Sequence, residues 1–84
     1  MTKIDKLYDR IMQYPYRKDI TFREVRTFLI AHGFIIKQAK GDHVKFEHPQ
    51  LDGKLIIDST ASYMKPYIIS NVQAAISDLG MEDM

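Results

Sequence analysis

The hexapeptide Gly41-Asp42-His43-Val44-Lys45-Phe46 contains the residues of this chain that are best suited to catalysis. In an extended strand, Val44 and Phe46 would face a core, while His43 and Lys45 would share the opposite, solvent-facing side. Imidazole takes up and releases protons near neutral pH, and an adjacent ammonium group stabilises negative charge. The pair could move protons beside a phosphate, so an RNA-directed activity is one candidate. An ordinary surface histidine at the mouth of a hairpin is the alternative.

Length and composition restrict the kinds of protein to consider. The chain has 84 residues, enough for a single domain spanning residues 1–84 with a small core. It contains no cysteine, which excludes disulfides, thiolate zinc sites and thiol nucleophiles. The three histidines lack spaced carboxylate or cysteine partners, so we expect no metal and no cofactor. With no signal-peptide pattern and no apolar run near the roughly 20 residues that span a bilayer, we expect a cytoplasmic protein without a membrane partner.

Charge is distributed unevenly along the chain, although its formal net value is only +1. Residues 1–26 include seven basic and four acidic side chains, whereas residues 58–84 include one and four. The basic first third could meet a polyanion or an acidic protein. The near-neutral total argues against tight, non-specific binding to nucleic acid.

Two helices are predicted ahead of the candidate strand. Residues 3–13 carry apolar side chains at helical spacing, with Thr2 as the expected N-cap. Thr21 and Glu24 form a T-x-x-E capping box, which predicts a second helix that ends at Gly33.

Three short strands and a final helix follow. Alternation and turn residues predict strands at residues 34–39, at residues 43–48 and at Lys54–Asp58, joined by hairpin-length turns. Pro66 suits the first turn of a last helix whose apolar stripe runs to Leu79, and the residues beyond it are expected to form a frayed tail.

The predicted order of elements, α-α-β-β-β-α, indicates an α+β fold with a three-stranded antiparallel sheet and both major helices on one face. Without the first helix, the order α-β-β-β-α resembles that of double-stranded-RNA-binding domains. On this interpretation residues 1–14 form an accessory N-terminal helix and residues 20–79 form the core. Fold by itself does not establish function.

Several short motifs in residues 20–79 resemble the HicA toxins of bacterial toxin–antitoxin pairs. Those toxins carry a helix, a Gly-Phe pair, and a Gly-Ser-His turn leading into a strand. The matching residues of this chain are Thr21-Phe22-Arg23-Glu24-Val25, Gly33-Phe34, Lys40-Gly41-Asp42-His43-Val44-Lys45-Phe46, His48-Pro49 and Lys65-Pro66. Three features depart from the family pattern. Asp42 replaces a serine, Val44 replaces a histidine often found there, and the loop of residues 58–64 lacks basic and glycine-rich character.

The resemblance implies an mRNA interferase, a metal-independent endoribonuclease that acts on mRNA and is silenced by a HicB-type antitoxin. It assigns the catalytic role to His43. We therefore expect His43 to act as general base or acid, Lys45 to assist electrostatically, and Lys37 and Lys40 to hold the RNA backbone. The oligomeric state is left open between a homodimer and a toxin–antitoxin hetero-oligomer.

The other histidines and the tyrosines have simpler interpretations. We expect His32 to cap the second helix or to be partly buried, and His48 to serve in a turn. Tyr8 is expected in the core, whereas Tyr63 and Tyr67 flank the last loop and could contact a partner.

Two further functions fit the same residues. One is a non-catalytic RNA-binding module, which the near-neutral charge weakens. The other is a protein-interaction domain, an inactive relative that binds an antitoxin-like partner. The departures at Asp42 and Val44 keep this last interpretation open.

Overall fold

The structure is a computed structural model that describes residues 3–80. The expected N-cap Thr2 and the expected tail at residues 81–84 lie outside the described residues. The elements in chain order are α1 (Lys3–Ile11), α2 (Phe22–Ala31), β1 (Ile35–Gln38), β2 (His43–Glu47), β3 (Lys54–Asp58) and α3 (Pro66–Asp78). This order and the α+β class are as predicted, and the boundaries differ by a few residues at most.

Helix α2 begins at the predicted capping box. The Glu24 amide donates to the Thr21 hydroxyl at 3.2 Å, and the Thr21 amide donates to the Glu24 carboxylate at 3.1 Å. His32 forms the C-cap, and its Nδ1 lies 2.8 Å from the Phe28 carbonyl oxygen. Gly33 then takes a positive φ of 90°, the conformation that releases the chain from the helix toward β1.

The strands form one open antiparallel sheet in the order β1-β2-β3. Phe46 and Ile57 are buried on one face, with Val44 and Leu55 half-buried beside them. His43 is exposed at the start of β2, on the opposite face. We call that second side of the sheet the outer face. The predicted split of β2 between a core side and a solvent side is therefore confirmed.

Strand β1 is shorter than predicted, and all four of its residues are exposed. The reason is its position at the edge of the sheet, where only β2 pairs with it. Phe34, expected inside the strand, precedes it and is buried in the core.

A single hydrophobic core joins the sheet to all three helices. Phe22 of α2 packs against Phe46 of β2 with ring centroids 6.2 Å apart. The fully buried side chains of the core include Ile11, Ile20, Val25, Phe28, Leu29, Phe46, Ile69, Val72 and Ile76. Because these come from α1, α2, β2 and α3 as well as from the segment before α2, the helices and the sheet fold around one interior.

Helix α1 belongs to this core and is also held by polar contacts. It buries Leu7 and Ile11, and Tyr8 packs near Phe28 as predicted. Gln73 of α3 donates its amide to the carbonyl oxygens of Ile11 and Gln13 at 2.9 and 3.0 Å. These bonds join the end of α1 to α3.

Within residues 3–80, no helix has the length and apolar character required to cross a bilayer.

Candidate functional site

His43 lies at the outer face, where β2 emerges from the turn that follows β1. Its backbone amide donates to the Lys40 carbonyl at 3.3 Å, and its carbonyl accepts from the Ala39 amide at 3.2 Å. Across the sheet, Asp58 is its direct partner on β3. His43 is exposed to solvent. Its register partner Asp58 is 15 positions away in the chain, so the pairing of the strands brings an acidic residue next to it.

A cavity of about 170 Å³ opens beside His43. It lies between the end of β3, the loop of residues 59–65 and the first turn of α3. Its polar and aromatic lining comes from His43, Asp58, Tyr63, Lys65 and Tyr67, and Met64 and Ile68 are among its apolar residues. The fold thus brings a base, a carboxylate, a cation and two aromatic rings to one concave surface.

The loop between β3 and α3 is anchored at both ends. The Met64 amide donates to the Ile20 carbonyl at 2.7 Å, and the Met64 side chain is buried. At the other end, Ser59 donates two hydrogen bonds to the Asp42 carbonyl oxygen. The anchored Met64 is buried, whereas its neighbours Tyr63 and Lys65 are exposed, and all three residues line the cavity.

Asp58 is held as a carboxylate in the wall of the cavity. Its Oδ1 accepts from the backbone amide of Thr60 at 2.8 Å and from the Thr60 hydroxyl at 2.7 Å. These hydrogen bonds, helped by the charges of His43 and Lys65, lower the pKa of Asp58 below its ordinary value. The aspartate is therefore ionised at neutral pH and acts only as a hydrogen-bond acceptor.

The predicted RNA-contacting lysines lie in two places. Lys37 pairs in register with Lys45, so both share the outer face with His43, while Lys40 is exposed in the turn before it. Glu47 contacts both Lys37 and Lys45. Lys37 Nζ is 3.0 Å from Glu47 Oε1, and Lys45 Nζ is 3.7 Å from Glu47 Oε2. One carboxylate therefore engages two of the three predicted lysines.

The environment of Glu47 is strongly cationic. The hydrogen bond from Lys37 lowers the pKa of Glu47, and the charges of Lys37, Lys45 and Lys54 act in the same direction. Lys54 is its register partner on β3. The outer face consequently carries three lysines, Lys37, Lys45 and Lys54, against two carboxylates, Glu47 and Asp58.

Sequence reasoning missed Asp58 and Lys65 as members of the site and did not link Tyr63 and Tyr67 to His43. Residues 58–64 contain no basic side chain, yet Lys65, which directly follows them, lines the cavity. Alternation did contain one usable signal, because Glu47 falls on the same side of β2 as His43 and Lys45. No pattern among adjacent residues predicts that the loop of residues 59–65 lies next to the start of β2.

The other two histidines have structural roles, as predicted. His48 is buried: its Nδ1 accepts from the Gln50 amide at 3.1 Å, and its Nε2 lies 3.1 Å from the His32 carbonyl oxygen. His48 therefore ties the β2–β3 turn to the end of α2, and His32 caps α2. Over residues 3–80, no three side chains of histidine, aspartate or glutamate converge in a way that could hold a metal ion.

A larger cavity of about 620 Å³ lies further along β3 and α3 and shares Ile56, Ile57 and Ile68 with the smaller one. Asn71 and Asp78 of α3 and Lys54 of β3 are among its polar lining residues. It does not include His43, so we place the candidate site at the smaller cavity, where the titratable groups converge.

Comparisons with protein-family models, with curated proteins and with solved structures yield no match to this chain. The geometry defines a small α+β protein with an open three-stranded sheet. Its distinguishing feature is a surface histidine between a lysine-rich sheet face and an aromatic cavity.

Proposed function

We propose that this chain is a HicA-type toxin, a metal-independent endoribonuclease that cleaves mRNA. The observation that carries the proposal is the exposed imidazole of His43, which has Lys65 in the adjoining cavity and Lys45 on the same sheet face. The order α2-β1-β2-β3-α3 supports a fold of the double-stranded-RNA-binding-domain type, with α1 as an addition. The motif resemblance gives the same assignment to His43.

The proposed reaction uses the nucleophile that RNA already contains. His43, as general base, removes the proton of a ribose 2′-hydroxyl, and the resulting oxygen attacks the adjacent phosphorus. The bond from phosphorus to the 5′-oxygen of the next nucleotide breaks, and that oxygen takes up a proton from water or from a lysine. The products are a 2′,3′-cyclic phosphate and a 5′-hydroxyl. In the reverse assignment, His43 protonates the leaving oxygen.

Cationic side chains would stabilise the phosphorane that forms during this step. Lys65 is the lysine in the cavity with His43, and Lys45 follows His43 on the same side of β2. Ammonium groups directed at developing negative charge are among the strongest electrostatic contributions to catalysis. Lys37 and Lys40 would hold the phosphates on either side of the scissile bond.

In this proposal a HicB-type antitoxin covers the outer face and silences the toxin in the cytoplasm. The outer face suits a protein partner because Ile35 and Ile56 are about half exposed there. Both isoleucines flank β2, since Ile35 pairs with Glu47 and Ile56 pairs with Lys45. Apolar side chains among lysines favour an inhibitor that offers both apolar and acidic groups.

The test is a cleavage assay with purified protein and mRNA in the presence of a chelator. We expect fragments that end in a 2′,3′-cyclic phosphate, and complete loss of cleavage and of growth arrest in His43→Ala. Because His43 is exposed, the circular dichroism spectrum and the unfolding midpoint should not change. Lys18→Ala, an exposed change in the segment between α1 and α2, is the control. Undiminished toxicity of His43→Ala would end the assignment of His43.

The exposed isoleucines also favour a second candidate, a protein-interaction domain without nuclease activity. In that case, overexpression without a partner would be harmless and RNA would stay intact. A protein partner would still bind, and Ile56→Asp would abolish its binding.

A further inference from the structure

We propose that the cavity beside His43 seats one unpaired nucleobase of single-stranded RNA, and that Asp58 selects a base with an exocyclic amino group. This inference rests on the proposed function, because it supposes that His43 acts on RNA.

The size of the cavity favours a single base. At about 170 Å³ it is well below the roughly 300–1,000 Å³ typical of pockets for drug-sized ligands. A duplex presents its bases stacked and paired, so none of them could enter. An unpaired nucleotide can turn its base into a recess while its ribose and phosphate stay at the rim.

The aromatic lining matches the face of a base. Tyr63 and Tyr67 line the same cavity, yet these residues are 55% and 62% exposed. Aromatic side chains of this size are usually covered in a folded protein, and exposed ones beside a cationic site are typical of base stacking. Met64 and Ile68 are buried and give the recess an apolar floor.

The charged lining matches the two polar parts of a nucleotide. Lys65 lines the same cavity as His43 and would supply a cation for the phosphate. Asp58 would repel a phosphate, but it can accept a hydrogen bond from the amino group of cytosine, the pairing that carboxylates make with that base. Both Thr60 hydrogen bonds end on Oδ1, which holds the carboxylate in a set orientation.

The test measures binding of fluorescent 2′-O-methyl heptanucleotides to the wild-type protein by anisotropy. The methyl group removes the nucleophile, so cleavage does not interfere. The probes are oligouridines whose central position holds cytidine, uridine or an abasic site, and the cytidine probe annealed to its complement. We expect the cytidine probe to bind about tenfold more tightly than the abasic probe and several-fold more tightly than the uridine probe.

Variants assign the effect to residues. Tyr67→Ala and Tyr63→Ala should each weaken binding of the cytidine probe several-fold and leave the abasic probe unchanged. Tyr67→Phe keeps the ring and should restore affinity. Asp58→Asn should abolish the preference for cytidine over uridine. Tyr14→Ala, which removes an exposed tyrosine from the segment between α1 and α2, is the control and should bind as wild type does.

Equal affinity for the abasic and cytidine probes would overturn the inference, as would equal affinity for cytidine and uridine or tighter binding of the duplex. These outcomes are separable from failure of the nuclease proposal. Cleavage of mRNA with base-independent binding overturns the inference alone. Base-dependent binding without cleavage overturns the nuclease and supports the pocket.

Discussion

Ser59 holds the carbonyl oxygen of Asp42 with two hydrogen bonds, one from its amide at 3.0 Å and one from its hydroxyl at 2.8 Å. Asp42 directly precedes His43, and Ser59 directly follows Asp58. The pair therefore extends the β2–β3 ladder by one step past the His43–Asp58 pair. It closes the open end of the β2–β3 hairpin, opposite the turn. It links the loop that lines the cavity to the backbone that carries the imidazole.

We predict that Ser59→Ala slows RNA cleavage without weakening RNA binding. Loss of one hydrogen bond to the backbone next to His43 should lower kcat about two- to tenfold. KM should stay nearly constant, because Ser59 positions the imidazole and does not line the cavity. Steady-state cleavage of a short RNA measures both constants.

Two variants check this interpretation of Ser59. Ser59→Thr retains the hydroxyl and should restore kcat, while Ser62→Ala removes an exposed hydroxyl from the same loop and should have no effect. An unchanged kcat in Ser59→Ala would contradict the prediction. It would show that the hydrogen bond from the Ser59 backbone amide to the Asp42 carbonyl is enough to hold this end of β2.

We predict that Glu47→Gln strengthens RNA binding. The change removes the carboxylate that engages Lys37 and Lys45. Exposed ion pairs are worth little, so affinity should rise only about two- to fivefold at low salt. The plot of log affinity against log salt should steepen by up to about 0.7 for each lysine that gains a phosphate.

Asp52→Asn is the matched control for Glu47→Gln, since it removes one exposed carboxylate from the β2–β3 turn. Filter binding or anisotropy across a salt series gives both slopes. If the two variants change affinity equally, net charge explains the effect. If Glu47→Gln alone weakens binding, the glutamate serves to arrange the lysines for RNA.

We predict that Glu24 makes stability depend on acid pH. Burial by itself would raise the pKa of Glu24, but hydrogen bonds from Arg10 and Thr21 outweigh it and hold the pKa below 4.5. A lowered pKa in the folded state stabilises the fold fully above the pKa of the unfolded chain. That stabilisation is lost as pH falls from 4.5 through the lower pKa of the folded state.

Urea unfolding at about pH 7 and about pH 3.5 measures this contribution. Glu24→Gln should cost about 1 kcal/mol at neutral pH, through the capping box and the 2.7 Å contact with Arg10, and should reduce the loss on acidification. Asp9→Asn, on the exposed side of α1, is the control. An equal acid loss in wild type and Glu24→Gln would place the titrating group elsewhere.

Much of the fold was predictable because its signals are local. The capping box at Thr21 and Glu24, the glycine after α2 and the Asp52-Gly53 turn each specify a boundary from a few adjacent residues. Alternation in β2 placed His43 outward and Phe46 inward for the same reason. Strand β1 was less well predicted, because an edge strand has only one neighbour and its apolar side chains need not be buried.

Local patterns in the chain were thus enough to establish the order of elements, the core faces and the outward histidine, since each depends on contacts between near neighbours. The cavity depended on the complete fold. Asp58, Tyr63, Lys65 and Tyr67 reach His43 because β3 pairs with β2 and because Met64 is anchored on Ile20. Those contacts join segments far apart in the chain, and they form only when the helices and the sheet close around one core.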